Sequence, residues 1–362
     1  YNLKIGVLEK ELDVCNETSA RNSGVLHAGF NNKPGTLMAK FCVEGNQGFD
    51  QVAKELGVPF KRCGKLVVGF SEEDKEKLIA MKEQGEKNGV KGLEIIGKDK
   101  IKEIEPNIDG EFAMWSKTTG ILNPFLLTIA LAENAAANGA EYYFGNEVID
   151  IKRVDDIYNI KTVKDTYKTR WVVNAAGLYS DKVSKMLGID DYTIHPCRGE
   201  YFILDEKVGS KLSLPAYPVP NPKEGGLGIH LTPTIDGNVF IGPSSEYIDE
   251  RDDYSATQKI MDLLIKDGGR IFPHIRREDF IRNFAGIRPK LASKEEGGYH
   301  DFVIEMRDKS PNTINLVGIE SPGLTSSTPI AKYVVSLLKQ KEELTENENF
   351  NPIRKPIVTF ND

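Results

Sequence analysis

The sequence lacks paired cysteines. Its four, Cys15, Cys42, Cys63 and Cys197, lie far apart with no C-x-x-C spacing. That argues against a metal site or a redox pair, and a disulfide scaffold does not suit a chain of 362 residues. A reducing, cytoplasmic setting is expected, with peripheral contact to a membrane left open. No run of about 18 apolar residues occurs, so no spanning helix is expected. A secretory leader is not expected either. Basic blocks are missing, which speaks against a nucleic-acid partner, and so is an acidic tail. The formal charge is −7 with acids and bases interspersed. An anionic ligand therefore gains nothing from the overall field and needs a local site.

One more thing is missing. Lys4 to Leu8 (KIGVL) is a short apolar run ending in Glu9, which suits a buried parallel strand. An acid at the end of the second strand of a dinucleotide-binding unit can accept both ribose hydroxyl hydrogens. The glycine loop of such a unit lies about 20 residues earlier. Only eight residues precede Glu9 here. The expectation is a fragment without the first strand, its loop and the first helix. By itself, Glu9 reads more readily as a surface residue at a strand end.

What is present alternates between α/β and β patterns. Helices are expected over 37–56, 72–88, 98–104, 124–138, 256–272 and 321–340. Strands are expected over 58–70 around Gly64, 147–151, 158–162, 170–178 and 301–305, and over 313–317 after a turn at Pro311-Asn312. Residues 199–242 read as strands and turns punctuated by proline and glycine. The fold class implied is mixed α/β and α+β: a Rossmann-like domain built from three segments, plus a second domain with a largely antiparallel sheet.

Four further stretches carry chemistry. Thr18-Ser-Ala-Arg-Asn-Ser-Gly-Val-Leu-His-Ala-Gly is mostly small and hydroxyl-bearing, allowing close backbone approach to a ligand, with His27 inside it. Val172-Val-Asn-Ala-Ala-Gly runs a strand into small residues, which also fits a plain strand-to-helix turn. Arg288 stands between Gly286 and Pro289; its guanidinium suits carboxylate or phosphate, or a structural ion pair. Ser321-Pro-Gly-Leu-Thr opens a helix whose free N–H groups suit an anionic group, or is simply a helix start.

In this order and spacing, SARNSGVLHAGF, VVNAAGLYSD, HPCRGEYFIL, YPVPNPKEGGLGIHLTPTIDGNVFIGPSSE, FAGIRPK and ESPGLTSS resemble the D-amino-acid-oxidase-like superfamily of FAD-dependent oxidoreductases. The branch resembled holds L-2-hydroxyglutarate dehydrogenases and glycerol-3-phosphate dehydrogenases or oxidases. The resemblance implies FAD as cofactor. Glu9 would hold the adenosine ribose and Val148 the adenine. Thr18 and Ser19 would lie near the pyrophosphate and ribityl chain, with Asn22, Ser23 and Gly24 close to the isoalloxazine. Ala175, Ala176 and Gly177 would line the dinucleotide, and Gly323, Leu324 and Thr325 the flavin pyrimidine edge. His27 matches the family's general base. Arg288 would clamp the substrate anion, with Ser23, Tyr201, His230 and Ser321 completing the pocket.

The resemblance further implies oxidation of a CH–OH group on a small anionic substrate, by proton loss to imidazole and hydride transfer to flavin N5. A 2-hydroxy acid such as L-2-hydroxyglutarate is slightly preferred over glycerol 3-phosphate. An amine substrate, and a flavin-free fragment kept for binding, are the alternatives. The electron acceptor (oxygen, a quinone or a redox protein) is left open. The cofactor domain is expected at 1–48, 122–186 and 302–345, the substrate domain at 49–121 and 187–301, and a C-terminal extension at 346–362.

Overall fold

The structure is a computed structural model that describes residues 1–220 and 228–357. Residues 221–227, part of the quoted proline-rich segment, and residues 358–362 of the C-terminal extension lie outside the described residues.

Among the described residues, nine strands form the largest sheet. Its order runs Glu246–Tyr247, His195–Leu204, Val239–Gly242, His230–Pro233, Ala216–Pro218, Lys65–Gly69, Phe112–Ser116 and Leu93–Gly97. Phe280–Lys290 pairs along His195–Leu204 as well. All neighbours are antiparallel except Ala216–Pro218 with Lys65–Gly69. The fold is thus mixed α/β with a largely antiparallel sheet.

Side chains alternate across a strand, so the register sorts this sheet into two faces. Leu66 lies opposite Ala216, Ala216 opposite Leu231, Leu231 opposite Ile241, and Ile241 opposite Phe202. These five pack into one apolar core with Leu264 of the helix Gln258–Gly268. The residues between them point the other way. They are Lys65, Tyr217, His230, Thr232 and Tyr201, and Arg288 joins them by pairing opposite Cys197.

Smaller sheets form the remainder. Gly6–Leu8 pairs in parallel with Glu141–Tyr143, and Val172–Asn174 pairs in parallel with Ser310–Val317. The expected burial of the first strand does not hold: Ile5 is 49% exposed, as is Val173. Among the described residues, Gly6–Leu8 and Val172–Asn174 each have a neighbour on one side only. The apolar strand read over 170–178 is only Val172–Asn174. The turn expected at Pro311-Asn312 falls instead at residues 308–309. Pro311 and Asn312 lie in a register shift of Ser310–Val317 against Val303–Arg307, where a missing N–H breaks no ladder bond.

Two helices bring the site's ends together. Leu37–Leu56 starts where Thr36 Oγ accepts from the Ala39 N–H, and it stops at left-handed Gly57. Its apolar residues face the helix Gly323–Leu338. At Gly45 the two backbones nearly touch, since a Cβ there would lie 1.9 Å from the Thr325 carbonyl oxygen. Glycine at 45 is what lets Thr325 reach the segment carrying His27.

Candidate active site

His27 is fixed from both sides of its backbone. Its N–H donates to Thr325 Oγ1 at 3.2 Å, and its carbonyl accepts from Asn46 Nδ2 at 3.0 Å. The ring points at Ser321, with Nε2 3.5 Å from Oγ. Burial, helped by the nearby Lys65, pushes the imidazole down to about 3. The ring is therefore neutral at physiological pH and can accept a proton.

The loop before it is tied to the sheet. Thr18 Oγ1 donates to the Ile287 carbonyl at 2.9 Å, next to Arg288. Asn22 braces the turn by donating to the Ser19 carbonyl at 2.7 Å and accepting from the Gly24 N–H at 2.9 Å. Gly24 is left-handed, and a Cβ there would sit 2.4 Å from the Leu122 carbonyl oxygen. The Ser23 hydroxyl faces both Tyr201 and Tyr217.

Arg288 lies across the face from this loop. Burial works against its charge, but Tyr201, Cys197 and Glu320 around it hold it protonated. Gly199 makes its space: a Cβ there would stand 2.8 Å from Arg288 Nη2. Tyr201 stacks on Phe284 with centroids 4.8 Å apart. His230 is buried, and Nδ1 meets the Gly228 carbonyl at 2.9 Å. Burial pushes its pKa well down, and Lys65, His27 and Arg288 add to the effect. His27 and Arg288 thus act on one imidazole from different elements. A cavity of about 410 Å³ runs beside Asn22, Ser23, Phe240 and Phe284.

The other expected residues lie in two places. Gly323, Leu324 and Thr325 form the first turn of Gly323–Leu338. The N-cap is Pro322, which makes no side-chain capping bond and leaves first-turn donors available. Leu324 turns its side chain into the core beside Leu26 and Phe49, so only its backbone is offered. Glu9, Val148, Ala175, Ala176 and Gly177 gather apart from the His27 cluster. Leu8 and Val148 pack with Val172. Asn174 pins the following turn by accepting from the Ala176 N–H at 3.2 Å, and Ala175 and Ala176 are left exposed. Glu9 Oε1 accepts from the Glu11 N–H at 2.9 Å.

These features fit a long dinucleotide. There is an acid at one end, a bare stretch of small residues beside it, and an uncapped helix start with a glycine turn at the other.

Sequence reasoning missed three members of the polar face: Lys65, Tyr217 and Thr232. The Lys65 Nζ, His230 Nε2 and Thr232 Oγ1 atoms are all buried without a hydrogen-bond partner among the described residues. The only signal in the sequence was Lys65 itself, a charge at the start of the apolar run KLVVG.

Comparison with known proteins agrees with this geometry. The FAD dependent oxidoreductase family matches residues 1–337. The chain belongs to that family and is an FAD-dependent oxidoreductase. It is 40% identical to a glycerol 3-phosphate dehydrogenase of Caloramator mitchellensis, across 99% of this chain and 74% of the relative. It is 32% identical to an L-2-hydroxyglutarate dehydrogenase of Indibacter alkaliphilus, across 91% and 90%. Among solved structures it resembles an FAD-bound L-alpha-glycerophosphate oxidase from Mycoplasma pneumoniae, with TM-score 0.91 and 28% identity over 99% of this chain and 94% of that one. Among the described residues, no helix is long and apolar enough to cross a membrane.

Proposed function

We propose that the chain oxidises the CH–OH group of glycerol 3-phosphate. The observation that carries this is the pairing of a neutral His27 imidazole with a charged Arg288 guanidinium around His230. An alcohol needs a base for its O–H proton, and a terminal phosphate needs a planar cation to hold it. The likeness to the Caloramator dehydrogenase and the Mycoplasma oxidase favours this substrate. L-2-hydroxyglutarate is the second reading, favoured by the Indibacter relative. An amine substrate suits the site less, because a neutral amine needs no base at His27.

In this reading Arg288 grips the anionic end and turns the carbinol carbon toward the loop of Asn22 and Ser23. His27 Nε2, beside Ser321 Oγ, takes the hydroxyl proton. The buried sheet face keeps water away. FAD, when bound, supplies the acceptor for the hydride. Glu9, Val148 and 175–177 would hold its adenosine half, and 323–325 its ring edge.

We also place the domain division where the sequence suggested. The nine strands of the large sheet all fall within 49–121 and 187–301, and the parallel pairs of the smaller sheets fall within 1–48, 122–186 and 302–345, while one small sheet of Val25–Leu26, Gly120–Leu122 and Phe60–Lys61 crosses the division. A cytoplasmic setting is proposed on four free cysteines.

The test is anaerobic bleaching of the yellow protein with glycerol 3-phosphate, L-2-hydroxyglutarate and glycine. Bleaching by the first alone supports the proposal. Bleaching only by glycine ends it. A colourless protein that FAD does not reconstitute supports a binding role instead.

A further inference from the structure

Lys65 has no place in the scheme above, yet it stands on the same face. The residue is 1% exposed, and its Nζ makes no hydrogen bond to the described residues. It lies 3.3 Å from the centroid of the Tyr217 ring and 5.0 Å from that of Phe30. The His230 ring stacks on Tyr217 as well, with centroids 3.6 Å apart and planes 11° from parallel. Two groups so close to one centroid cannot share a side. The phenol ring is therefore sandwiched, with the ammonium on one side and the imidazole on the other.

A buried ammonium that finds only aromatic faces is expensive to keep. The ionisable groups around it are Cys42 from the long helix, His27 from the loop and His230 from the sheet. Among the described residues none of these is a carboxylate, and none forms an ion pair with Lys65. Burial pushes the amine down to about 7. Lys65 is also the cation whose field reaches His27. Arg288 acts on Tyr201, and both cations act on His230.

Of the two cations, it is Lys65 that bears on His27. Arg288 is free to hold an anion. Lys65 adjoins the base. That position matters because His27 is a weak base. A hydroxyl proton moves to such a base only if the oxygen it leaves is stabilised.

We propose that Lys65 is a catalytic residue of the alcohol oxidation, its ammonium donating to the substrate oxygen whose proton goes to His27. The inference rests on the function proposed above. The O–H bond breaks and its proton goes to His27 Nε2. The C–H hydrogen leaves with its electron pair to FAD, the oxidant, and the C–O bond becomes C=O. In its protonated form Lys65 transfers no proton in the step and lowers the charge that builds on the oxygen.

The test uses the FAD-loaded protein and Lys65→Met, which keeps the length and removes the charge. Three readouts are compared with wild type. Thermal unfolding should rise, since a buried charge is removed and only aromatic faces lose a contact. Propyl phosphate, an anion without the reacting hydroxyl, should stabilise both proteins with affinities within about threefold. The first-order rate of anaerobic flavin reduction should fall by ~100-fold or more.

Reduction at the wild-type rate overturns the inference. So does a loss of propyl phosphate affinity that matches the loss in rate, because Lys65 would then hold the anion. A variant that melts lower or fails to fold also overturns it, by showing that the ammonium serves the fold. If no hydroxy compound bleaches the wild type, the proposed function falls and this inference with it. If the wild type bleaches normally, any failure belongs to Lys65 alone.

Discussion

The two faces of the nine-stranded sheet are built from the same strands and behave as different materials. On one, Leu66, Ala216, Leu231, Ile241 and Phe202 close against Leu264 with nothing polar between them. On the other, one residue along, stand Lys65, Tyr217, His230, Thr232 and Tyr201. Three of their polar atoms have no partner among the described residues. The first face makes the sheet stable. The second holds groups whose desolvation works against stability, and the first face tolerates that cost. The contrast teaches that a period of two can separate folding from chemistry across a single layer.

The contrast can be broken at four points. The largest effect is expected at His27. Changing it to Ala should slow flavin reduction by about 10²- to 10⁴-fold while the flavin spectrum stays intact, as stopped-flow absorbance will show. Undiminished reduction would remove the base from the polar face.

On the opposite face, Leu231→Ala should cost about 2–5 kcal/mol of stability, read by thermal unfolding. The folded fraction should keep its KM. A changed KM with an unchanged melting point would mean that the two faces are not separate.

Arg288→Lys comes third. It keeps the charge but loses the planar fork, so KM should rise roughly tenfold with little change in kcat. Steady-state kinetics over a range of substrate concentration decides it.

The smallest effect is a pH dependence. In the folded protein the Lys65 amine is lowered from 10.5 to about 7. Below 7 it is charged in both states, and the full cost of burial is present. Between 7 and 10.5 the unfolded chain holds one more proton, so stability rises with pH. Lys65→Met lacks that rise. Its advantage in melting temperature should shrink steadily from pH 7 to pH 10. An advantage that stays constant would show that the lysine carries no buried charge.

How much of this was legible beforehand varies with the distance over which contacts form. The helices at 37–56 and 98–104 were readable to the residue, because caps and apolar spacing are local signals. The strand Phe280–Lys290 was seen only as a motif around Arg288. Its identity as a strand depends on pairing with His195–Leu204, which no local pattern records. Pro311 and Asn312 looked like a turn by composition, but a register shift in the hairpin absorbs them.

His27, Arg288 and Ser321 were legible through the order of their motifs. Lys65 was not. A lysine at a strand's start reads as solvated, and only the register against Ala216–Pro218 turns it inward. Tyr217 sat among prolines that read as a turn.

The Tyr217 sandwich has one last consequence. With a cation on one side and an aromatic ring on the other, the phenol can neither rotate nor swing out without stripping cover from both neighbours at once. Three residues from separate strands are locked into a single rigid stack. Whatever these three offer to the polar face they offer in one fixed arrangement, as printed type offers its letters.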